Sequence, residues 1–305
     1  MDIAELNRAH ARGDALNFET SPLGGPVARL RIGGSEATVA LQGAQVLGWR
    51  HKGTEMLWLS PLARLGTGKA MRGGIPVCWP WFGPHPEDAA KPAHGFVRTR
   101  DWTVAATAAG RVAASITLAT ATGPEDRHLF PHDATVRLTV TLGDTLSLAL
   151  ETQNTGTTDI PLTQALHTYF RVPEISTVGI KGLGVRRYID KLGDESVRHL
   201  QVGPITFERE VDRIYLGATQ SIVLVGSQAQ GRHLVIESEG SASAVVWNPW
   251  SDKTVRLGDM GGPNAYRHMV CIETANAGDD LVLLRAGSSS HTLAARYRVV
   301  SMEIE

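Results

Sequence analysis

The chain has 305 residues, 42% of them hydrophobic, with 32 glycines and 15 prolines, enough to bury a sizeable core in a turn-rich globular protein. Its 30 Lys and Arg stand against 31 Asp and Glu, so no global field draws it to nucleic acid or to an anionic membrane, and any anion must be held locally. The 2 cysteines, Cys78 and Cys271, form no CxxC pair, which argues against a disulfide framework or a structural zinc site and points to a reducing cytoplasm.

The opening MDIAELNRAHARGDALNFET is polar and carries both signs of charge, so no secretory leader is expected there. Residues 2–12 have a helical pattern, and 1–24 as a whole are expected to be a peripheral N-terminal segment. From residue 26 onward, runs rich in Val, Thr, Leu and Ile recur between Gly, Pro, Asn and Asp clusters: PVARLRIG, EATVALQG, RVAASITLAT, ATVRLTVTLG and DTLSLALETQN. These predict strands. The clearest hairpin is RLTVTLGDTLSLALE, where Gly143-Asp144 is expected to supply the positive φ of a tight turn. Further strands are predicted in ISTVGIKGL, QSIVLVG, HLVIES, SAVVWNP, HMVCIET and SHTLAARYRVV, with short helical pieces only near Leu62.

Strands following strands without helical periods between them predict an all-β fold, one large antiparallel β-sandwich over residues 1–305. No linker, charge run or fixed-period repeat divides it, and no apolar run approaches the roughly 18 residues of a membrane span.

Two suggestive patterns fail. Gly66-Thr67-Gly68-Lys69 lacks the P-loop spacing, and Ala70 stands where Ser or Thr would hold magnesium. His128 and His132 are four apart, but Pro131 prevents the helix that would align them on a metal. Arg186, Arg187, Arg209 and Arg213 read as solvated charges.

Four stretches concentrate functional groups: MRGGIPVCWPWFGPH, KPAHGFVRTRDW, LTQALHTYFRV, and VVWNPW followed by MVCIETANAG. Taken alone, the Trp-Pro-Trp-Phe cluster reads as core or loop packing more readily than as the lining of a ligand site. His167 alone reads as an ordinary hydrogen-bonded histidine. Glu273 follows the apolar run Met269 to Ile272, where an uncompensated carboxylate is costly, so it belongs at a strand's mouth or in a polar site.

Together and in order, RGGIPVCWPWFG (72–83), PAHGFVRTRDW (92–102), HTYF (167–170), VDRIY (211–215), VWNPW (246–250) and CIETAN (271–276) resemble the hexose-6-phosphate mutarotases, or glucose-6-phosphate 1-epimerases, relatives of the aldose 1-epimerases. The resemblance spans residues 25–300. It implies a galactose mutarotase-like supersandwich of antiparallel sheets. It makes His167 the general acid, Glu273 the general base and Asp212 an acceptor for a sugar hydroxyl, with Arg72 and Arg98 on the phosphate side and His94 lining the site. Some relatives carry Gln where this chain has Ala93, so that contact is absent here.

The chemistry suits those residue types. Mutarotation removes the proton from the C1 hydroxyl while protonating the ring oxygen, then closes the ring on the other face. A base and an acid suffice, so neither cofactor nor metal is expected. Arginine grips a phosphate bidentately where lysine offers a point charge. Arg72-Gly73-Gly74 and Gly95 to Arg98 are expected to let backbone approach a ligand closely, and Trp79, Trp81 or Phe82 to stack on the pyranose. The expected partner is a hexose 6-phosphate, bound by a monomer or weak homodimer. Two alternatives share the sandwich: an aldose 1-epimerase for free sugars, needing no arginine pair, and a non-catalytic phosphosugar binder, needing neither acid nor base.

Overall fold

The computed structural model describes residues 2–226 and 232–301. Leu16–Thr20, Pro26–Ile32, Ser35–Ala40, Val46–His51 and Thr54–Glu55 form a five-stranded antiparallel meander. Leu16 and Phe18 are buried in the main core and Leu6, on the helix Ile3–His10, packs with them. Residues 16–20 are therefore an integral edge strand, and the expectation of a peripheral segment through residue 24 is corrected: the alternation of Leu16 and Phe18 buries one face of the strand.

An eight-stranded antiparallel sheet follows the order Gly179–Lys181, Ile222–Val225, Arg232–Glu239, Ser290–Ser301, Leu146–Asn154, Ala134–Leu142, Ala114–Ala121, Thr103–Ala109. Its central hairpin is the one expected, with Leu142 opposite Leu146. Its turn differs. Three residues, 143–145, make the connection, closed by Gly143 N–H donating to Thr145 O at 2.9 Å. The glycine is required by crowding, because a Cβ there would meet Val112 O at 2.9 Å.

The second eight-stranded sheet holds Glu273 and flanks His167. It runs His199–Leu200, Arg187–Asp190, Val211–Leu216, Ser243–Asn248, Met269–Asn276, Gln164–Leu166, Val77–Cys78, with Tyr169–Arg171 also pairing to Met269–Asn276. Both Ser243–Asn248 and Met269–Asn276 are buried along their whole length. One face, with Val246, Val270 and Ile272, joins the main core; the other, with Trp247, Met269 and Cys271, packs on Trp58, Tyr169 and Met260. The short helices expected near Leu62 are turns, and the eight-residue helix Trp250–Leu257 was not foreseen. No helix among the described residues is long and apolar enough to cross a membrane.

Candidate active site

Glycines thread two loops against the sheet. Gly73 and Gly74 have φ of +101° and +64°, and a Cβ on them would lie 2.6 Å from Trp58 O and 2.2 Å from Val46 O. Their close approach is thus to protein backbone, not to a ligand, and it places Arg72 beside the second sheet. Gly95 plays the same part, since a Cβ there would overlap Trp79 O at 1.7 Å. The preceding His94 adopts φ of +62°, rare for a residue with a Cβ. Two contacts hold it: its N–H donates to Gly83 O at 2.7 Å, and Gly83 N–H donates to its Nδ1 at 3.2 Å. An accepting Nδ1 leaves the proton of the neutral ring on Nε2. Burial, then Arg98, Arg72 and Lys191, push the His94 pKa down to about 3, so the ring is neutral.

Register makes the central pair. Leu166 pairs with Thr274 and Tyr169 with Cys271, one register continued across a short break, so His167 stands opposite Glu273. His167 Nε2 and Glu273 Oε1 are 3.4 Å apart, too long for a strong hydrogen bond. Both side chains are buried, and among the described residues His167 Nδ1 and Glu273 Oε2 have no hydrogen-bond partner. Buried polar atoms are normally satisfied, so two orphans in one contact pair mark a place where a ligand completes the bonding. The His167 ring stacks on Tyr169, with centroids 4.8 Å apart and planes 10° from parallel, while His94 and Trp247 present edges.

Burial dominates the electrostatics. It holds the His167 pKa well below its ordinary value, with His94, Arg72 and Arg98 adding to the effect, and it holds the Glu273 carboxyl well above the usual range, helped by Asp212. Both shifts favour neutral imidazole and protonated carboxyl in the closed, unliganded pair. Glu273 therefore sits in mid-strand within a polar site, not at a strand's mouth.

Around the pair, Asp212, Trp247, Cys271 and Tyr169 occupy one cross-strand row and hence one face of the sheet. Desolvation raises the Asp212 carboxyl despite Lys253 and Lys191. Lys253 Nζ lies 3.6 Å from Asp212 Oδ2 and 2.7 Å from Glu210 Oε1. The Arg72 guanidinium donates to Tyr169 Oη at 3.0 Å and, through Nε, to both oxygens of Asp259 at 3.1 Å. Arg98 donates to Ala93 O at 2.7 Å, and its buried Nε has no protein partner among the described residues.

The structure thus brings His167, Glu273, His94, Asp212, Arg72 and Arg98 around one face. It does not bring all three aromatics there. Trp79 is buried in the main core, its indole N–H donating to Thr152 Oγ1 at 3.0 Å, and it has no face free for a sugar. Trp81 is also buried, bonded to Pro92 O, and lines a separate cleft of about 470 Å³ with His85 and Phe130 that does not reach His167. Only Phe82 approaches, edge-on to His94 at 5.0 Å. Arg213 is corrected as well: its side chain is 15% exposed, lies over Tyr188 and comes within 3.9 Å of Asp190.

Tyr169, Trp247, Lys253 and Asp259 were missed as site residues. Lys253 and Asp259 depend on the helix Trp250–Leu257, whose signal was present: Asp252 in its first turn, Arg256 in its last and Gly258 at +69° after it. One group could also take a metal ion. His167, Cys271 and Glu273 bring ligand atoms within 4.8 Å of one another. Burial and Glu273 hold the Cys271 thiol well above its ordinary pKa, so it must lose a proton to bind.

Comparison with known proteins places the chain in a family. A protein of Escherichia coli provisionally named glucose-6-phosphate 1-epimerase is 37% identical over 245 residues, 80% of this chain and 81% of that one. One of Cenchrus ciliaris with the same provisional name is 37% identical over 249 residues, 78% of this chain and 74% of that one. The crystal structure of a Salmonella typhimurium protein provisionally described as a mutarotase superposes with a TM-score of 0.85 at 31% identity, covering 96% of each chain. The aldose 1-epimerase family matches residues 26–294, and the chain belongs to it.

Proposed function

We propose that this protein interconverts the α and β anomers of hexose 6-phosphates, glucose 6-phosphate first among them, with Glu273 as base and His167 as acid. The observation that carries the reading is the cross-strand His167–Glu273 pair, buried, 3.4 Å apart and left with unsatisfied atoms. A C1 hydroxyl donating to Glu273 Oε2 supplies the partner that this oxygen lacks. Glu273 then takes the O1 proton while His167 delivers one to the ring oxygen, and the roles exchange on closure. Burial alone favours the neutral pair, so hydrogen bonds from the sugar stabilise the ionised form that starts the reaction. Asp212, at the end of the neighbouring cross-strand row, accepts from a ring hydroxyl. No step needs an electron or group carrier.

The phosphate reading rests on Arg98, whose Nε lacks a partner among the described residues, and on Arg72, which with Arg98 bears on both His94 and His167. The bidentate Arg72–Asp259 pair favours a second reading, an epimerase of unphosphorylated aldoses, because Asp259 already neutralises one of the two guanidiniums. Anomer exchange followed by NMR with glucose and glucose 6-phosphate side by side decides between them. Faster exchange of the phosphorylated sugar is expected; equal rates favour the second reading. Exchange is expected to survive exhaustive dialysis against a chelator, and a loss restored by a divalent ion overturns the cofactor-free mechanism. In this reading the protein works in a reducing cytoplasm as a monomer or weak homodimer, in keeping with two buried free thiols.

A further inference from the structure

We infer that His167, Cys271 and Glu273 also form an inhibitory binding site for a borderline-soft divalent cation of the zinc(II) class; its inhibitory role rests on the function proposed above. Cys271 and Glu273 are two residues apart on one strand and so share a face, and His167 stands opposite Glu273. Their ligand atoms already lie within 4.8 Å of one another. Two ligands about 2.0–2.1 Å from a tetrahedral ion stand roughly 3.4 Å apart, and His167 Nε2 and Glu273 Oε1 are separated by 3.4 Å. A sulfur about 2.3 Å from the same ion stands roughly 3.6 Å from the other ligands, against the 4.8 Å within which the three ligand atoms lie.

The donor set of imidazole nitrogen, thiolate and carboxylate selects zinc over magnesium or calcium, which take oxygen ligands. Glu273 Oε2, buried and without a partner among the described residues, is the second sign that the pocket lacks an occupant. On binding, the Cys271 thiol and the Glu273 carboxyl each give a proton to solvent as the sulfur–metal and oxygen–metal bonds form, and the neutral imidazole binds through its lone pair. The ion would thus engage both groups that the reaction uses. Among the described residues His167 Nδ1 has no hydrogen-bond partner, a lack that weakens metal affinity about 10–100-fold, so this is a reversible inhibitory site and not a structural one.

The test uses the full chain. Binding of glucose 6-phosphate to metal-free protein is measured first by calorimetry; absence of binding at that stage counts against the substrate reading alone. Zn²⁺ and Co²⁺ are then titrated by equilibrium dialysis and absorption. One ion per chain is expected, with a thiolate-to-cobalt charge-transfer band that disappears in Cys271→Ser, and at least tenfold weaker Zn²⁺ binding in both Cys271→Ser and His167→Asn. Cys271→Ala, checked by circular dichroism, guards against a misfolded serine variant. Zn²⁺ should compete with glucose 6-phosphate and Mg²⁺ should not. A cobalt complex without the band, zinc binding lost only in a His128→Gln/His132→Gln variant, or sugar binding unaltered by saturating Zn²⁺ would each overturn the proposal.

Discussion

Two pairs of neighbouring strands solve opposite problems. In the hairpin Ala134–Leu142/Leu146–Asn154 buried residues alternate with more exposed ones, and Leu138, Val140, Leu148 and Leu150 fill the main core. In Ser243–Asn248/Met269–Asn276 every residue is buried, polar ones included. There Ser243 donates to Ala275 O, Thr274 meets Ser238, Asn248 donates to Tyr266 O and Met269 O, and Asn276 donates to Gly240 O. Along Met269–Asn276 the unsatisfied side-chain atom is Glu273 Oε2. The first pair spends its burial on cohesion, whereas the second buries one carboxylate among strand neighbours whose polar groups are satisfied and leaves its Oε2 without a partner among the described residues.

The largest expected effect breaks the second pair and leaves the first untouched. Glu273→Gln keeps size and removes basicity, so kcat for anomer exchange should fall by about 10²–10⁴-fold, and His167→Asn should match it. In the proposed mechanism the two share one proton relay, so the double variant should lose far less than the product of the single losses. NMR exchange, with calorimetric binding as the control for an intact site, measures all three. Near-wild-type exchange in Glu273→Gln would remove it as the base.

The converse change strikes the hairpin. Leu138→Ala empties a fully buried position and should cost about 2–5 kcal/mol of stability, while exchange per folded molecule stays near wild type. Urea unfolding and NMR exchange on the same sample separate the two quantities. A large fall in specific activity with intact folding would mean that the two regions are coupled.

These regions also differ in how far they can be read from sequence. The hairpin is legible because one-sided burial writes period-two alternation. Met269–Asn276 is buried on both faces and writes none, so Glu273 could be placed as costly but not located, and its partnership with His167 came through the order of motifs. Trp79 misled because a Trp-Pro-Trp-Phe cluster looks the same whether its rings face a ligand or the core. The helix Trp250–Leu257 hid behind Asn248-Pro249, which reads as a turn, and Lys253 and Asp259 were hidden with it.

A smaller effect sharpens the comparison at the edge of the site. Arg98→Ala should weaken use of glucose 6-phosphate by about 1.5–3 kcal/mol, the worth of one charge-assisted hydrogen bond, and leave any glucose exchange nearly unchanged. Arg72→Ala should cost more than that on both sugars, because its guanidinium also ties Tyr169, on which His167 stacks, to Asp259. Steady-state comparison of the two sugars measures both. Equal losses on both sugars in Arg98→Ala would place that residue outside the phosphate site.

The last effect asks whether the folded pair keeps its proton. The Glu273 carboxyl is raised by burial, so its contribution to stability is fully present below the ordinary carboxyl range and is lost as pH rises through the raised folded value. His167 is lowered by burial, so its contribution is present above the ordinary histidine value and is lost as pH falls through the depressed one. Glu273→Gln cannot ionise. Its stability relative to wild type should therefore grow as pH rises from about 4 toward 8, by ~1.4 kcal/mol for each unit by which the carboxyl is raised. Urea unfolding of both proteins at several pH values in that interval gives the difference directly. A difference that climbs shows that the folded pair keeps one proton that the unfolded carboxyl would have lost, as burial of Glu273 dictates. A flat difference means that the folded pair holds no proton, a carboxylate beside a neutral imidazole, which would leave His167 without a proton to deliver.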